Sequence, residues 1–354
     1  MSISAIVINY HTPLLLPSLI EDLKKDSLVG QIMVVDNSQD FRGVPSAPWM
    51  DGVDFIVNDT NKGFGAAVNQ GVRNADGDWL LVVNPDVRIE KGCLESLITA
   101  AGHYGSSLVG PRFYWDDDHL FRIPPATGAC FWQDVAMISS QYYGLDADLF
   151  SFYWILRHDR FWDATEPFVE PFLSGACLLV EKKWIETSGG KLFDEGYFLY
   201  YEDSDLAVRA ARDGILPLCV PGANAIHYYD QSPSPDQSKS TLMGESHHLF
   251  QSKYYTTIIP SIKGDILNNS GIVDLGEISC PPNFQCFQMH YAEKCFLEIG
   301  VNPYLVPFVQ AEITKSKLQF PQDIWDRLAS GQYYGRIRGK ISGIRKVVQW
   351  KKLP

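Results

Sequence analysis

A single carboxylate, Asp86, stands where chemistry on a phosphate-bearing ligand would need one. It follows the apolar run Trp79–Val83 and is separated from that run by Asn84 and Pro85. Consecutive apolar residues of this kind are typical of a strand that is buried on both faces of a parallel sheet. Open α/β sheets bind ligands beyond the carboxyl ends of their strands. An acid at that position can hold a divalent cation such as Mg²⁺ or Mn²⁺, which in turn commonly bridges a diphosphate.

A second group of chemically competent residues lies further along the chain. Glu202 and Asp203 stand at the start of a predicted helix, and His227 follows a later predicted strand. Asp203 can cap its helix, which is worth about 1 kcal/mol, or it can act as a general base toward an alcohol. His227 can be a metal ligand or an ordinary loop histidine. The residues alone leave both alternatives open.

Polar residues at the ends of earlier predicted strands suit a nucleotide. Asp36 and the two hydrogen-bonding residues after it could bind a ribose or the edge of a base. The segment Asn61–Gly63, which includes Lys62, precedes a predicted helix, and a helix N-terminus favours phosphate. The dinucleotide fingerprint GxGxxG would need glycine at Val68, and the P-loop is absent. We therefore expect neither a typical dehydrogenase nor a typical ATPase.

The elements that must position these residues alternate between strand and helix. A helix is expected to open at Thr12–Pro13, because proline suits a first helical turn, and another is expected from Gly63 to about Gly77. Short strands that alternate with longer helices form βαβ units with parallel strands, so the fold class is α/β. The predicted strands are Ser4–Tyr10, Gln31–Ser38, Asp54–Asp59 and Trp79–Val83.

The remainder of the chain is less regular. Residues 1–255 form the main predicted domain, with an irregular, aromatic-rich insertion at about 114–167, and residues 256–335 form an accessory region without a predicted fold. The segment 336–354 is rich in lysine and arginine and has no acid. Its apolar residues recur at helical spacing, which predicts a basic amphipathic helix that contacts a membrane surface. Those residues are Ile337, Ile341, Ile344 and Val348.

Composition excludes several classes of protein. The net charge of −12 argues against a nucleic-acid binder, which needs a basic surface. The seven cysteines are odd in number and contain no CxxC pair, so we expect core residues in a reducing compartment rather than a disulfide framework or a zinc site. The N-terminus does not resemble a signal peptide, and no apolar run approaches the length of a membrane span. A cytoplasmic location is expected, with attachment to the inner face of the membrane through the basic segment.

The ordered set of motifs resembles one known family. "AIVINYHTP", "VVDNSQD", "NKGFGAAVNQG", "LLVVNPDV", "SGACLLV" and "FLYYEDSDLAVRAARDG" occur, with a later histidine, in the order seen in inverting GT-A glycosyltransferases of family two. The chain is most similar to the rhamnosyltransferase-like and galactofuranosyltransferase-like branch. The resemblance implies a Rossmann-like GT-A domain with a mostly parallel central sheet and flanking helices, to which we add a helical C-terminal extension. It also implies a nucleotide-sugar donor and a divalent metal, Mg²⁺ or Mn²⁺.

The resemblance also implies roles for individual residues. Asp203 is the expected catalytic base, and Asp86 and His227 are the expected metal ligands. The sequence departs from the family's DXD motif, because Asn84 replaces its first acid. The expected nucleotide-sugar-binding residues are Asn9, Asp36, Asn61, Lys62, Gly63, Asn84 and Asp86, and the expected acceptor-binding residues are Gly175, Ala176 and Glu202.

The expected reaction is the inverting transfer of rhamnose, galactose or a similar sugar from a UDP- or dTDP-sugar. The acceptor is a hydroxyl of a glycan or lipid-linked saccharide, as in cell-surface polysaccharide biosynthesis. A sugar-1-phosphate nucleotidyltransferase would need a basic, glycine-rich loop after the first strand, where this chain has "NYHTP". A binding module that has lost its base is the other alternative, and the intact pair Glu202–Asp203 argues against it. The sugar, the nucleotide, the acceptor and the linkage remain open.

Overall fold

The computed structural model describes residues 1–142, 144–233, 238–255, 272–282, 284, 293–302, 305–313, 320–340 and 343–354. The chain forms two compact units. The first comprises Met1–Arg112, Ala126–Ala129 and Ala164–Ile259, and the second comprises Phe113–Pro125, Cys130–Asp163 and Pro260–Pro354. Most of the predicted insertion at 114–167 thus belongs with the C-terminal residues.

The described strands and helices have the following bounds. The strands are β1 (Ile3–Asn9), β2 (Val29–Asp36), β3 (Asp54–Val57), β4 (Trp79–Val83), β5 (Val87–Ile89), β6 (Leu108–Tyr114), β7 (Phe121–Arg122), β8 (Phe168–Val169), β9 (Cys177–Glu181), β10 (Leu218–His227), β11 (Ile272–Ile278), β12 (Cys295–Gly300), β13 (Val309–Ile313), β14 (Gly331–Gly339) and β15 (Gly343–Lys352). The helices are α1 (Leu16–Lys25), α2 (Phe64–Asn74), α3 (Cys93–Tyr104), α4 (Phe131–Tyr142), α5 (Gly144–Asp163), α6 (Lys182–Thr187), α7 (Glu202–Arg212), α8 (Lys239–Tyr254) and α9 (Gln322–Arg327).

The first unit is built on the α/β sheet that the sequence predicts. Its strand order is β6–β9–β4–β1–β2–β3. The pairs β1–β2, β1–β4 and β2–β3 are parallel, and β9 runs antiparallel to β4 and β6. All residues of β1 and β4 are buried. Burial on both faces explains why these strands are continuous apolar runs rather than alternating ones.

The first helix begins later than the sequence predicts. Residues 13–15 form a turn, and α1 starts at Leu16 with Pro17 in its first turn. Thr12 is bound to the end of β1 instead, because its backbone N–H and its hydroxyl both donate to Asn9 Oδ1, at 3.2 and 3.1 Å. Pro17 therefore occupies the first-turn position that the prediction gave to Pro13.

The second unit is mainly a β-structure, so the prediction of a helical C-terminal extension is wrong for the described residues. Its sheet has the order β11–β15–β14–β12–β13–β7, in which β11–β15 is parallel and the other pairs are antiparallel. The predicted helix at 336–354 is instead the end of β14 followed by β15, while Ile341 lies outside the described residues. Ile337 and Val348 belong to different strands that share one core. The alternation Arg336–Ile337–Arg338, which is a strand pattern, outweighs the helical spacing.

Most of the described basic residues of this segment are engaged within the second unit. Glu298, which is fully buried, accepts from Arg336 Nε at 2.5 Å and from Arg338 Nε at 2.6 Å. Lys340 pairs with Asp163 at 2.9 Å and Lys351 with Glu277 at 2.7 Å. The cations described here therefore lie in contacts within the protein, and the membrane contact expected of this segment stays a prediction.

Two further features concern the whole described chain. Cys93, Cys177, Cys219 and Cys295 are buried free thiols, Cys130 is half-buried and Cys280 is exposed, while Cys286 lies outside the described residues. Among the described residues, no helix combines the length and the apolar character needed to cross a bilayer.

Candidate active site

Asp86 is placed by a tight turn between two strands. Asn84 N–H donates to the carbonyl of Ala176 at 2.9 Å, and Val87 N–H donates back to the carbonyl of Asn84 at 3.1 Å. This turn brings the chain from β4 directly into β5, which pairs with the end of β10 so that Val87 faces His227. Tyr228 N–H also donates to the carbonyl of Asp86 at 3.0 Å. The register of two antiparallel strands thus fixes Asp86 beside His227.

The side chains of Asp86 and His227 meet in a nearly dry environment. Asp86 Oδ1 lies 3.5 Å from His227 Nε2, and each side chain is 9% exposed. Burial raises the pKa of Asp86, but the neighbouring His227 and a hydrogen bond from the backbone of Gln231 outweigh it and leave the pKa below its ordinary value. Asp86 is therefore a carboxylate at neutral pH, which is the form that binds a metal ion.

Asp86 and His227 fit a metal site whose remaining coordination positions are filled by water and by the phosphates of a bound substrate. The described residues contain no group of three or more histidine, cysteine or acidic side chains that could hold a metal ion. Mg²⁺ typically takes one or two carboxylates and fills its remaining positions with water and substrate phosphates. Asp86 and His227, with Asn84 in the lining of the same cleft, match that incomplete type of site.

Glu202 and Asp203 are neighbouring carboxylates in the first turn of helix α7, where Glu202 is buried and Asp203 is half-buried. Asp203 accepts from Ser204 N–H at 2.8 Å and from Gly175 N–H at 3.5 Å. Burial raises the pKa of Asp203, although these backbone bonds oppose the rise. Burial, and then the Asp203 carboxylate, raises the pKa of Glu202 to about 8. Glu202 Oε2 is buried with no hydrogen-bond partner among the described residues. The pair thus retains a proton at neutral pH.

The start of α7 is held by a buried ionic cluster rather than by a side-chain cap. Asp205, which is fully buried, accepts from Lys253 Nζ at 2.5 Å and from Tyr254 Oη at 2.6 Å, and it pairs with Arg209 at 2.8 Å. The residue before the helix is Tyr201, whose side chain makes no capping bond. Asp203 therefore does not cap α7, because it lies within the first helical turn and not before it.

Four residues beside these carboxylates adopt left-handed backbone conformations. Tyr200 and Tyr201 both have φ of 69°, and Tyr229 and Asp230 have φ of 61° and 56°. Such conformations cost energy in residues other than glycine and concentrate at functional sites. Tyr200 and Tyr201 directly precede Glu202, and Tyr229 and Asp230 follow His227 after one residue.

A polar network joins the ends of β1 and β2. Asn9 and Asp36, which are register partners, are fully buried, and Asn9 Nδ2 donates to Asp36 Oδ1 at 2.9 Å and to Asp40 Oδ2 at 2.9 Å. Ser38 N–H and its hydroxyl also donate to Asp36 Oδ1. Asp36 thus shapes the loop after β2.

Asn37 and Gly63 connect this strand end to the start of α2. Asn37 Nδ2 donates to the carbonyl of Gly63 at 3.2 Å, and Asn61 Oδ1 accepts from Gly63 N–H at 2.9 Å. Gly63 has φ of 83°, and a Cβ atom there would lie 2.6 Å from the carbonyl oxygen of Phe198. Glycine is therefore required at this position by both its conformation and its space.

One cleft of about 330 Å³ in the first unit gathers most of the predicted site residues. Asn9 and Asp36 lie behind its wall, and Lys62 is exposed outside its lining. The predicted residues that line the cleft are Asn61, Gly63, Asn84, Asp86, Gly175, Ala176, Glu202, Asp203 and His227.

Part of the cleft wall comes from three residues that the sequence did not point to. Lys239 is the one lysine or arginine in the cleft lining within the described residues, and its Nζ donates to the carbonyl of Ser232 at 2.9 Å and pairs with Asp230. Tyr200 and Tyr229 also line the cleft. Their left-handed conformation has no sequence signal, and Lys239 stands in a polar stretch that reads as a linker. Only the nearness of this stretch to His227 could have pointed to it.

The first half of the chain matches a known protein family. The model of the family described as "Glycosyl transferase family 2" matches residues 4–188. The chain belongs to glycosyl transferase family 2. This matched region includes Asp86 but ends before the carboxylate pair and the histidine, so the placement of Asp203 and His227 depends on the tertiary structure.

Two proteins named as rhamnosyltransferases are similar to part of the chain. An "N-acetylglucosaminyl-diphospho-decaprenol L-rhamnosyltransferase" of Mycobacterium tuberculosis (strain CDC 1551 / Oshkosh) is 31% identical over 202 residues, which cover 52% of this chain and 61% of that protein. "Rhamnosyltransferase WbbL" of Escherichia coli (strain K12) is 26% identical over 224 residues, covering 59% of this chain and 77% of that protein. The chain thus spans less than two thirds of the mycobacterial relative's length.

Solved structures are similar at a lower level. A mannosyltransferase from Pyrobaculum calidifontis, solved with GDP-Man and Mn²⁺, shares 13% identity and a TM-score of 0.44, with 65% of this chain and 57% of that chain covered.

Proposed function

We propose that this glycosyl transferase family 2 protein transfers a hexose, such as rhamnose or galactose, from a UDP- or dTDP-sugar to a hydroxyl group, with inversion at the anomeric carbon. The observation that carries the proposal is that Asp203 and the pair Asp86–His227 line a single cleft. A base for the acceptor and an anchor for the departing diphosphate are thereby available to one bound substrate pair. One displacement requires no nucleophilic carboxylate, in contrast to retaining glycosidases.

Asp203 supplies the base in this mechanism. Its carboxylate takes the proton of the acceptor hydroxyl while the hydroxyl oxygen bonds to the anomeric carbon, and the bond from that carbon to the diphosphate breaks. The raised pKa of Asp203 suits this role, because a base is most effective when its pKa lies near the working pH. Gly175, Ala176 and Glu202 line the same cleft and would contact the acceptor, with protonated Glu202 able to donate a hydrogen bond.

Asp86 and His227 would hold Mg²⁺ or Mn²⁺ against the donor diphosphate. Such an ion, when bound, stabilises the negative charge that develops on the leaving group. Lys239 is well placed to add a positive charge on the same side, since it lines the cleft whereas Lys62 does not. An acidic protein of net charge −12 has particular need of such local positive groups to hold a polyanion.

The nucleoside would occupy the wall formed by the ends of β1, β2 and α2. Asn61, Gly63 and Asn84 present polar groups to the cleft, while Asn9 and Asp36 set the shape of the wall from behind. These groups suit the ribose and the edge of a pyrimidine base. The choice between uridine and thymidine is left to measurement.

The acceptor that we propose is a lipid-linked saccharide used to build a cell-surface polysaccharide. The support is the similar mycobacterial protein, which is named as a rhamnosyltransferase for N-acetylglucosaminyl-diphospho-decaprenol. A cytoplasmic protein that works at the inner face of the membrane would meet such an acceptor and a soluble nucleotide sugar together.

The decisive experiment is a turnover assay with purified full-length chain, a panel of UDP- and dTDP-sugars, and Mn²⁺, Mg²⁺ or EDTA. A short saccharide diphosphate with a soluble tail serves as acceptor, and the anomeric configuration of the product is read by NMR. Asp203→Asn should lower turnover about 10²- to 10⁴-fold and leave donor binding intact. Near-normal turnover in Asp203→Asn, or retention of configuration, would overturn the proposed mechanism.

A further inference from the structure

Helices α4 and α5 of the second unit expose an unusual amount of apolar surface. Trp132 is 76% exposed, and Leu149, Phe152, Tyr153 and Leu156 are each more than half exposed. Phe131, Val135 and Met137 add to the same two helices. Large exposed apolar side chains that lie together on a soluble protein commonly mark a surface that binds a partner or a membrane. We call this set of eight residues the α4–α5 apolar surface.

Helix α5 is apolar on two different faces. One face carries Trp154 and Ile155, which are buried in a core with Leu305, Phe308 and Tyr334. The other face carries the exposed residues at positions 149, 152, 153 and 156, which recur at the spacing of a single helical stripe. Among the described residues, the core of the second unit therefore buries one face of α5 and leaves the other face exposed.

An open groove runs between the two helices. It has a volume of about 580 Å³, and its lining is mainly apolar. A groove of this size and character accepts a hydrocarbon chain more readily than a polar ligand. Its lining residues are Cys130, Trp132, Gln133, Val135, Ala136, Ser139, Leu149, Phe150 and Tyr153.

The charges at the C-terminal end of α5 complement phosphate. Arg160 continues the exposed stripe one turn beyond Leu156 and has no carboxylate partner among the described residues. The two acids nearby are engaged by cations of the unit's own sheet, since Asp159 pairs with Arg338 at 2.8 Å and Asp163 with Lys340 at 2.9 Å. The exposed acid Asp148 lies at the opposite end of the stripe.

We propose that the α4–α5 apolar surface docks on a phospholipid bilayer, with both helices lying in the plane of the interface. The exposed tryptophan, tyrosine and phenylalanine rings would enter the boundary between headgroups and acyl chains, where aromatic side chains are favoured. Arg160 would contact headgroup phosphate, and the helix would tilt so that Asp148 stays in water. This is interfacial binding driven mainly by apolar area. The proposal does not depend on which sugar the first unit transfers.

The test uses the full chain and sedimentation with vesicles of phosphatidylethanolamine and phosphatidylglycerol. We expect the wild-type chain to bind, and the double variant Phe152→Glu/Leu156→Glu to bind at least tenfold more weakly. The matched control Leu216→Glu/Val301→Glu places two acids on other exposed apolar residues, 60% and 67% exposed, and should bind like the wild type. Melting temperature and donor binding establish that each variant is folded.

Two further measurements test which residues contact the bilayer, and light scattering tests whether a second copy of the chain covers the surface instead. Brominated lipids should quench tryptophan fluorescence in the wild type and quench it less in Trp132→Phe, while Arg160→Gln should weaken the preference for phosphatidylglycerol vesicles over vesicles of phosphatidylcholine alone. The proposal is overturned if the wild type does not bind vesicles, or if the double variant binds as well as the control. It is equally overturned if the wild type is a dimer by light scattering without lipid and the double variant only loses that dimer.

Discussion

His227 Nε2 lies 3.5 Å from Asp86 Oδ1 because the antiparallel pairing of β10 with β5 sets His227 opposite Val87. The two residues come from distant parts of the sequence, and the strand register brings them to one side of the cleft. The pair is too small to hold a metal ion by itself within the described chain. We therefore expect metal and donor to bind together, each completing the site of the other.

This cooperation gives the first prediction. His227→Ala and Asp86→Asn should each weaken Mn²⁺-dependent binding of UDP or dTDP by about tenfold or more, which corresponds to about 1.4 kcal/mol. Binding is measured by calorimetry with Mn²⁺ and with EDTA. His103→Ala, which removes an exposed histidine at the end of α3, is the matched control. An unchanged difference between Mn²⁺ and EDTA in both variants would remove these residues from the metal site.

The protonated carboxylate pair predicts how stability depends on pH. Because the pKa of Glu202 is raised from 4.5 to about 8, the folded chain binds more protons than the unfolded chain between those values. The free energy of unfolding that neutral Glu202 contributes is therefore lost as the pH rises from about 5 to about 8. Relative to the wild type, Glu202→Gln should gain stability across this range, as measured by denaturant unfolding at several pH values.

An exposed carboxylate provides the matched control for Glu202→Gln. Glu245→Gln removes an exposed carboxylate from α8 and should change stability little at any of these pH values. If the difference between Glu202→Gln and the wild type stays flat from pH 5 to pH 8, then Glu202 is ionised in the folded chain and the buried pair does not share a proton.

The two lysines near the cleft give a direct comparison. Lys239 lines the cleft, whereas Lys62 is exposed outside its lining. We expect Lys239→Gln to weaken donor binding about tenfold, because a positive charge close to a diphosphate matters most where water is excluded. Lys62→Gln should change donor affinity less than threefold. The reverse order of effects would return the phosphate-binding role to Lys62.

The buried cluster of the second unit gives a prediction about folding. Glu298 is fully buried and pairs with both Arg336 and Arg338. Glu298→Gln therefore leaves the buried guanidinium of Arg336 without its carboxylate partner, whereas Arg338 keeps its pair with Asp159. Removal of one partner from a buried ion pair costs about 3–5 kcal/mol. Glu277→Gln breaks an exposed pair with Lys351 and should cost no more than about 1 kcal/mol. Equal unfolding midpoints of the two variants would contradict this account of the second unit.

The sequence predicts the first unit well because its signals are local. Buried parallel strands read as continuous apolar runs, and Asp86 and Asp203 stand at the strand end and the helix start where the patterns place them. The C-terminal segment was predicted wrongly because the apolar residues of 336–354 fit a helical period as well as a strand period. The strand period prevails in the structure, where Ile337 and Val348 pack in one core from two different strands.

The sequence by itself therefore determined the alternation of strands and helices from β1 to β4, the chemical types of the site residues and the family of the chain. Tertiary structure alone decided which of those residues meet. The contact between Asp86 and His227 depends on strand register, the proton on the Glu202–Asp203 pair depends on burial, and the position of Lys239 in the cleft depends on the loop after β10. The physical reason is that register and desolvation are properties of segments far apart in the chain, and no local pattern encodes them.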